Sequence, residues 1–146
     1  MVPFEMLLQA ENSLNTVVKK TPILTSPFLD EIAGRKIFIK AECLQHTGSF
    51  KFRGAYNAIS RLVDADKSKG VIAYSSGNHG QAVALVAKTF GLKSVIVMPS
   101  DAPLIKISNV KAYGSKVVLY DKTHENRESI GRRLSESEDL SLIKPF

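Results

Sequence analysis

The sequence predicts an α/β fold for residues 70–146, with an open parallel sheet and helices on both faces, preceded by part of a second α/β domain in residues 1–69. From residue 70 onwards, short apolar segments alternate with helical segments, a spacing typical of parallel strands joined by right-handed crossovers. The almost wholly apolar helical segment at 82–87 fits a sheet covered on both faces. Residues 1–63 contain one clear strand, whose backbone groups need partners, so this region is not expected to be self-sufficient.

The first region begins with a partly amphipathic helical pattern and ends with an apolar helical stripe. Pro22 and Gly34 stop the first two helices, and strict alternation of apolar and polar residues predicts the strand. The predicted elements are a helix at 5–18, a short helix at 28–33, a strand at 36–42 and a helix from 51 to about 63.

The second region is more regular. Gly91 and Gly114 follow two predicted helices, where glycine commonly ends a helix, and Pro103 lies near the start of another. The predicted strands are 71–74, 94–98, 116–120 and 140–143, and the predicted helices are 80–90, 101–114 and 124–138. A polar, turn-rich segment at 64–70 predicts the boundary between domains 1–69 and 70–146.

The composition narrows the class of protein. The chain has twenty Lys and Arg against fourteen Asp and Glu, but the cations are dispersed, which favours a solvated surface or a small anionic ligand over nucleic acid. No apolar run is as long as a membrane span, and the N-terminus has no secretory signal pattern. The single cysteine, Cys43, excludes an internal disulfide and fits a reducing compartment. We therefore expect a cytoplasmic protein that binds neither membranes nor nucleic acid.

Lys51 stands at the predicted start of a helix, within Thr47-Gly48-Ser49-Phe50-Lys51. Ser49 is expected to cap this helix, and the first turn leaves backbone N–H groups free. A lysine held there is either a solvated surface charge or an amine nucleophile. The segment alone leaves both interpretations open.

A second polar segment, Ser75-Ser76-Gly77-Asn78-His79-Gly80, follows a predicted buried strand and opens a helix. Ligands of open α/β sheets bind at this edge, and the helix N-terminus suits a carboxylate or phosphate. Such residues also make ordinary turns, so this segment alone is also compatible with a purely structural role. Neither a dinucleotide-binding nor a P-loop motif is present.

Together, the two segments closely resemble the β-family (fold-type II) of pyridoxal-phosphate enzymes, best the serine/threonine dehydratase and serine racemase group. The matching motifs are residues 40–42, Gln45, 47–51, 53–55 and 75–82, with weaker agreement at 21–22, 98–99, 102–103, Lys106 and 113–114. Their order and spacing span nearly the whole chain. The resemblance implies a cofactor, pyridoxal 5′-phosphate, and a small amino-acid substrate.

The resemblance also implies roles for individual residues. Lys51 would hold the cofactor as a Schiff base and act as a base at the substrate Cα, while Phe50 would line the cofactor pocket and Asn78 would bond the ring oxygen. Ser76 would be the acid/base on the opposite face in a racemase. The substrate carboxylate would be bound by Ser75, Ser76, Gly77, Asn78, His79 and Arg127.

The expected reaction is the deamination of L-serine or L-threonine to a 2-oxo acid and ammonia. Serine racemase is the alternative within the enzyme class, and a non-catalytic fragment or pseudoenzyme is the alternative outside it. Relatives in the family continue into a glycine-rich phosphate loop that these 146 residues lack, so we expect an N-terminal part of a larger protein. The resemblance further implies a homodimer, and a divalent cation held only by residues outside this chain, with no metal ligands within it.

Overall fold

The computed structural model describes residues 2–64 and 69–145, and these contain six α-helices and six strands. The helices are α1 (Phe4–Leu14), α2 (Pro27–Ala33), α3 (Lys51–Asp64), α4 (Asn78–Thr89), α5 (Leu104–Ala112) and α6 (Arg127–Glu138). The strands are β1 (Ile23–Leu24), β2 (Ile39–Lys40), β3 (Gly70–Tyr74), β4 (Lys93–Pro99), β5 (Lys116–Tyr120) and β6 (Ser141–Leu142). The predicted boundary at 64–70 lies largely outside the described residues, and the division into two domains stays a prediction.

The last four strands form one parallel sheet in the order β5-β4-β3-β6, which confirms the predicted fold class. The connections after β3 and β4 lead to α4 and α5, whereas the connection after β5 leads to α6 on the opposite face. A crevice therefore opens at the carboxyl ends of the strands, between loops that leave towards opposite faces. Open α/β sheets bind their ligands at such a crevice.

Two apolar clusters cover the two faces of this sheet. On one face Ile59 of α3 and Val83 of α4 belong to the same cluster as Ile96 of β4. On the other face Ile130 of α6 packs in a cluster with Ile72 of β3. Since burying a large aliphatic side chain contributes about 1.5–3 kcal/mol, this packing holds α3, and with it Lys51, against α4, which itself lies on the sheet.

The strand predicted at 36–42 is much shorter in the structure. The Asp30 carboxylate accepts a hydrogen bond from the Ile37 N–H at 2.7 Å, so this amide is unavailable to a strand partner. Only Ile39–Lys40 pairs, antiparallel to β1, a strand that the sequence reasoning missed. A two-residue strand has almost no periodic signal, which explains the omission.

Helix ends also differ from the prediction where side chains bind the backbone. Helix α1 ends at Leu14 rather than residue 18. Helix α6 begins at Arg127 rather than 124 because the Asn126 side chain accepts hydrogen bonds from the N–H groups of Glu128 and Ser129. No helix within residues 2–64 and 69–145 has the length and apolar character needed to cross a membrane.

Candidate active site

The polar loop at 75–80 lies where β3 ends and α4 begins. Helix α4 starts at Asn78, two residues earlier than predicted, which leaves residues 75–77 as the turn. The Gly77 N–H donates a hydrogen bond to Ser75 Oγ at 3.2 Å. A Cβ at Gly80 would lie 2.9 Å from Ile96 Cγ2 and 3.2 Å from the Ser75 carbonyl oxygen. Glycine at position 80 thus lets the loop pack closely on β4.

Lys51 is the first residue of α3, and its side chain reaches the end of the chain segment that follows β6. Its Nζ donates a hydrogen bond to the Pro145 carbonyl oxygen at 2.7 Å and lies 5.1 Å from the centroid of the exposed Phe50 ring. A carbonyl oxygen orients the amine without the strong charge pairing of a carboxylate. The Lys51 amine is therefore positioned by a group that can accept a hydrogen bond from either of its protonation states.

The prediction that Ser49 caps α3 is wrong. Ser49 Oγ is buried and has no hydrogen-bond partner among the described residues, and the same holds for Thr47 Oγ1. Thr47 also has a left-handed backbone, with φ of 58°. Buried hydroxyl groups without partners are uncommon and need an explanation, and here both lie within four residues of Lys51.

His79 connects α4 to the same segment after β6. The His79 ring is buried, and its Nε2 donates a hydrogen bond to the Ile143 carbonyl oxygen at 3.0 Å. Burial lowers the pKa of His79 below its ordinary 6.5; the Ile143 carbonyl opposes this, and the nearby Lys51 cation lowers the pKa further. A neutral ring that donates from Nε2 is the form that this environment favours.

These groups surround a cavity of about 210 Å³, which we call the lysine cavity. Lys51 and Phe50 form one wall, His79 another, and the segment from Ile143 to Pro145 a third. The cavity is open beside Gly54, because a Cβ at this position would have no atom within 4 Å. The cavity is smaller than the roughly 300–1,000 Å³ typical of small-molecule sites.

A second cavity, of about 290 Å³, lies at the carboxyl ends of β3, β4 and β5, and we call it the serine cleft. Its lining is polar and includes Ser75, Ser76, Asp101, Lys106, Lys122 and Arg127. The loop at 75–80 therefore links the two cavities, because Ser75 and Ser76 line the cleft and His79 lines the lysine cavity. One short loop thus contributes side chains to both cavities.

An ion pair between Arg53 and Glu42 connects the first turn of α3 to the segment that precedes it. Arg53 donates two hydrogen bonds of 2.8 Å to the Glu42 carboxylate, and Thr21 Oγ1 donates a third at 2.6 Å. The Arg53 hydrogen bonds lower the pKa of Glu42 to about 2; partial burial opposes them, and the Thr21 hydrogen bond adds to the lowering. The bidentate geometry restricts α3 just two residues after Lys51.

The structure distributes the predicted site residues among these places. Lys51, Phe50 and His79 meet in the lysine cavity, and Ser75, Ser76 and Arg127 meet in the serine cleft. Gly77 lies between them, and the exposed Asn78 begins α4 without lining either described cavity.

Sequence reasoning gave no role to Lys106 or to the Pro145 carbonyl. Lys106 follows a parallel strand, as His79 does, so its position at the same edge of the sheet was a usable signal. A backbone carbonyl has no residue-specific signal.

The residues of the lysine cavity fit the cofactor that the resemblance implies. Lys51 presents a primary amine, the group that bonds to an aldehyde, and Phe50 offers an aromatic surface beside it. The buried hydroxyl groups of Thr47 and Ser49, close to Lys51 in sequence, are unpaired within the described part of the chain. Within that part, no three His, Cys, Asp or Glu side chains are grouped to hold a metal ion.

Known proteins match this chain over nearly its whole length. A family profile described as "Pyridoxal-phosphate dependent enzyme" matches residues 14–146. The chain is 47% identical over 140 residues to L-threo-3-hydroxyaspartate ammonia-lyase from Saccharomyces cerevisiae, covering 96% of this chain and 43% of that protein.

Two solved structures agree with this match. Serine racemase from Dictyostelium discoideum has a TM-score of 0.89 at 41% identity, covering 99% of this chain and 47% of that one. The processed form of threonine deaminase isoform 2 from Solanum lycopersicum has a TM-score of 0.85 at 40% identity, covering 98% and 42%. The chain thus spans a little under half the length of each of these proteins.

Proposed function

Because the chain belongs to the family of pyridoxal-phosphate dependent enzymes, we propose that its protein is an ammonia-lyase that converts L-serine or L-threonine to a 2-oxo acid and ammonia. The observation that carries the proposal is the loop at 75–80, which joins the lysine cavity to a cleft lined by cationic side chains and hydroxyl groups. An amino-acid substrate has a carboxylate for the cleft and a Cα–H bond for the lysine. The relatives include proteins named for ammonia-lyase, threonine deaminase and serine racemase activities.

Lys51 would hold the cofactor through its amine, with Phe50 beside the ring and Asn78 directed to the ring oxygen. When bound, pyridoxal phosphate supplies an electron sink for the electrons left at Cα. Lys51 then takes the Cα proton, for which its amine must be neutral. The hydrogen bond to the Pro145 carbonyl oxygen keeps this amine directed into the cavity.

The substrate carboxylate would bind at the loop and the N-terminus of α4. The first turn of a helix leaves backbone N–H groups without intrahelical partners, and Ser75, Ser76 and Arg127 add donors in the cleft. Fixing the carboxylate holds the Cα–H bond in front of Lys51. Such positioning can lower the barrier by several kcal/mol.

The test is Lys51→Ala in the complete protein loaded with the cofactor. We expect the absorbance of the lysine–cofactor linkage to disappear and 2-oxo acid release to fall by about 100-fold or more. Lys88→Ala, which removes an exposed lysine of α4, should leave both unchanged. A Lys51→Ala protein with a normal linkage band and normal turnover would refute the proposal.

Racemisation of serine is the second candidate, and the position of Ser76 favours it. The Ser76 side chain is exposed and lines the serine cleft, where a hydroxyl group could return a proton to Cα from the face opposite Lys51. In that case Ser76→Ala abolishes D-serine formation, whereas threonine deamination loses only the contribution of Ser76 to carboxylate binding and persists. If the wild-type protein forms no D-serine, the ammonia-lyase alone remains.

We further propose that the complete protein acts in the cytoplasm as a homodimer, with a divalent cation bound by residues outside this chain. The family resemblance supports the dimer and the cation, and the single cysteine, which fits a reducing compartment, supports the cytoplasm. Sedimentation at several protein concentrations tests the dimer, and turnover after chelation tests the cation. A monomeric active species, or activity insensitive to a chelator, would remove the corresponding part of the proposal.

A further inference from the structure

Two cations of the serine cleft are held in different ways. Lys122 Nζ lies 2.6 Å from the Asp101 carboxylate, so the charge of this lysine is already paired. The side chain of the exposed Arg127 has neither an ion pair nor a hydrogen bond with any of the described residues. Its guanidinium instead lies 5.5 Å from the centroid of the Tyr74 ring. An aromatic ring, rather than a carboxylate, therefore holds the Arg127 cation.

The Tyr74 ring is fixed by the packing of β3 against α6. Tyr74 is the last residue of β3 and is buried in the apolar cluster to which α6 contributes. A Cβ at Gly131 of α6 would lie 2.9 Å from Tyr74 Cδ1, so the ring occupies the space that a side chain at position 131 would need. Glycine lowers the stability of a helix interior, and this close approach is the physical reason for its presence here.

Arg127 and Gly131 are four residues apart in α6 and therefore lie on the same face of this helix, one turn from each other. The ring that packs against Gly131 thus also lies beneath Arg127. The Asn126 side chain caps the first turn of α6, which fixes the backbone that carries Arg127. Ring and cap together restrict the position of the guanidinium in the lining of the serine cleft.

A cation–π contact restricts a long side chain without neutralising its charge. A freely moving arginine loses side-chain entropy when it binds an anion, and this loss weakens binding. A guanidinium that a ring already holds avoids much of the loss. Its N–H donors stay available for the two oxygens of a carboxylate.

We propose that Tyr74 is a positioning residue, which holds Arg127 in place for the substrate carboxylate. The proposal rests on the carboxylate-binding role that the proposed function gives to Arg127. Tyr74 acts through Arg127 and takes no part in proton transfer at Lys51. Loss of the ring should therefore weaken substrate binding and leave the chemical step almost unchanged.

The first test measures KM and kcat for L-serine and L-threonine in the complete cofactor-loaded protein with Tyr74→Leu, which removes the ring and keeps an apolar side chain. We expect KM to rise by about three- to tenfold, the usual effect of losing a cation–π contact, and kcat to change by less than about twofold. Tyr74→Phe removes only the hydroxyl group and should retain the wild-type KM. An unchanged KM in Tyr74→Leu, or the same rise in both variants, would overturn the proposal.

A double-mutant cycle distinguishes positioning from a general loss of packing. Arg127→Gln removes the cation, so adding Tyr74→Leu to it should change KM by less than about twofold. Tyr120→Leu is the matched control, because Tyr120 is a buried tyrosine of the same apolar cluster at the end of β5. Its effect on KM should be the same with and without Arg127. If Tyr74→Leu also has the same effect in both backgrounds, Tyr74 does not act through Arg127.

Binding of free glycine separates this proposal from the proposed function, because glycine has the carboxylate but no hydroxyl group to eliminate. Calorimetry with the complete cofactor-loaded protein should show about three- to tenfold weaker binding to Tyr74→Leu than to the wild type, and no such difference in the Arg127→Gln background. If the wild type deaminates neither serine nor threonine, the proposed function is wrong, and glycine binding still tests Tyr74. Glycine binding that is absent from the wild type, or equally tight in Tyr74→Leu, refutes the positioning role.

Discussion

The Lys51 amine donates a 2.7 Å hydrogen bond to the carbonyl oxygen of Pro145, a residue 94 positions later in the chain. The path of residues 143–145 therefore decides where the amine points. That path is held at its start by the parallel pairing of β6 with β3, and by the hydrogen bond from His79 to the Ile143 carbonyl oxygen. His79 thus acts on Lys51 through the backbone between Ile143 and Pro145.

Removing the His79 ring should loosen this segment and misdirect the amine. We expect His79→Ala to lower kcat by about 10- to 100-fold, as small misplacements of reacting groups do. His79→Gln keeps an N–H donor and should recover much of the loss. The independent measurement is labelling of Lys51 by an amine-specific reagent, followed by mass spectrometry. Equal labelling rates in wild type and His79→Ala would show that His79 does not position the lysine.

The lowered pKa of His79 predicts how stability depends on pH. The unfolded chain takes up a proton near pH 6.5, whereas burial holds the pKa of the folded protein below this value. The contribution of the neutral ring is fully present above pH 6.5 and is lost as the pH falls towards the lowered pKa. The free energy of unfolding, measured by urea denaturation at several pH values in this window, should therefore change less steeply with pH in His79→Gln than in the wild type. Identical slopes would contradict the assignment.

The Arg53–Glu42 pair should contribute measurably to the stability of α3. Arg53→Met leaves a half-buried carboxylate without its main partner, which should lower the free energy of unfolding at neutral pH by about 1–3 kcal/mol. Because the pKa of Glu42 is lowered to about 2, the stabilisation by the pair is present above pH 4.5 and is lost as the pH falls towards 2.

Denaturant titrations at neutral and acidic pH measure this difference. Arg61→Met changes an exposed arginine of the same helix and should cost little at either pH. If Arg53→Met and Arg61→Met have the same effect at both values, the pair does not stabilise α3.

Two glycine-to-alanine changes should shift the free energy of unfolding in opposite directions. Gly80→Ala places a methyl group 2.9 Å from Ile96 Cγ2, and such overpacking costs about 1–3 kcal/mol of unfolding free energy. Gly54→Ala, within α3, places its methyl group in open space, and the better helix propensity of alanine should add about 0.8–1 kcal/mol. Thermal and urea unfolding of both variants measure the two changes in the free energy of unfolding. A stabilising Gly80→Ala would mean that the loop is not packed on β4 as described.

Much of the fold could be predicted because its signals are local. Strand β5 has the predicted bounds of 116–120, and Gly34 and Gly91 have the left-handed backbone expected after helices. Lys51 begins α3, and the 75–80 loop follows a buried parallel strand, as expected from patterns within about ten residues. The motifs also predicted the family, because its lysine and loop segments retain their order and spacing.

Short strands and side-chain caps were harder to predict for a physical reason. Strands β1 and β2 pair over only two residues each, and the late start of the strand predicted at 36–42 reflects a single hydrogen bond between Asp30 and Ile37. Serine is a common helix cap, yet the Ser49 hydroxyl group makes no hydrogen bond to the described residues. Local propensity states which residues can make such bonds, and the surrounding chain decides which of them do.

The sequence by itself determined the parallel α/β architecture, the place of Lys51 at the start of a helix and the polar loop, since each follows from residue type and short-range periodicity. Only the tertiary structure decided that the loop serves two cavities, that Lys106 stands beside Gly77, and that Pro145 directs Lys51. These relationships join residues on different elements or use a backbone carbonyl that every residue possesses. Their distances depend on the path of the whole chain, which no local pattern contains.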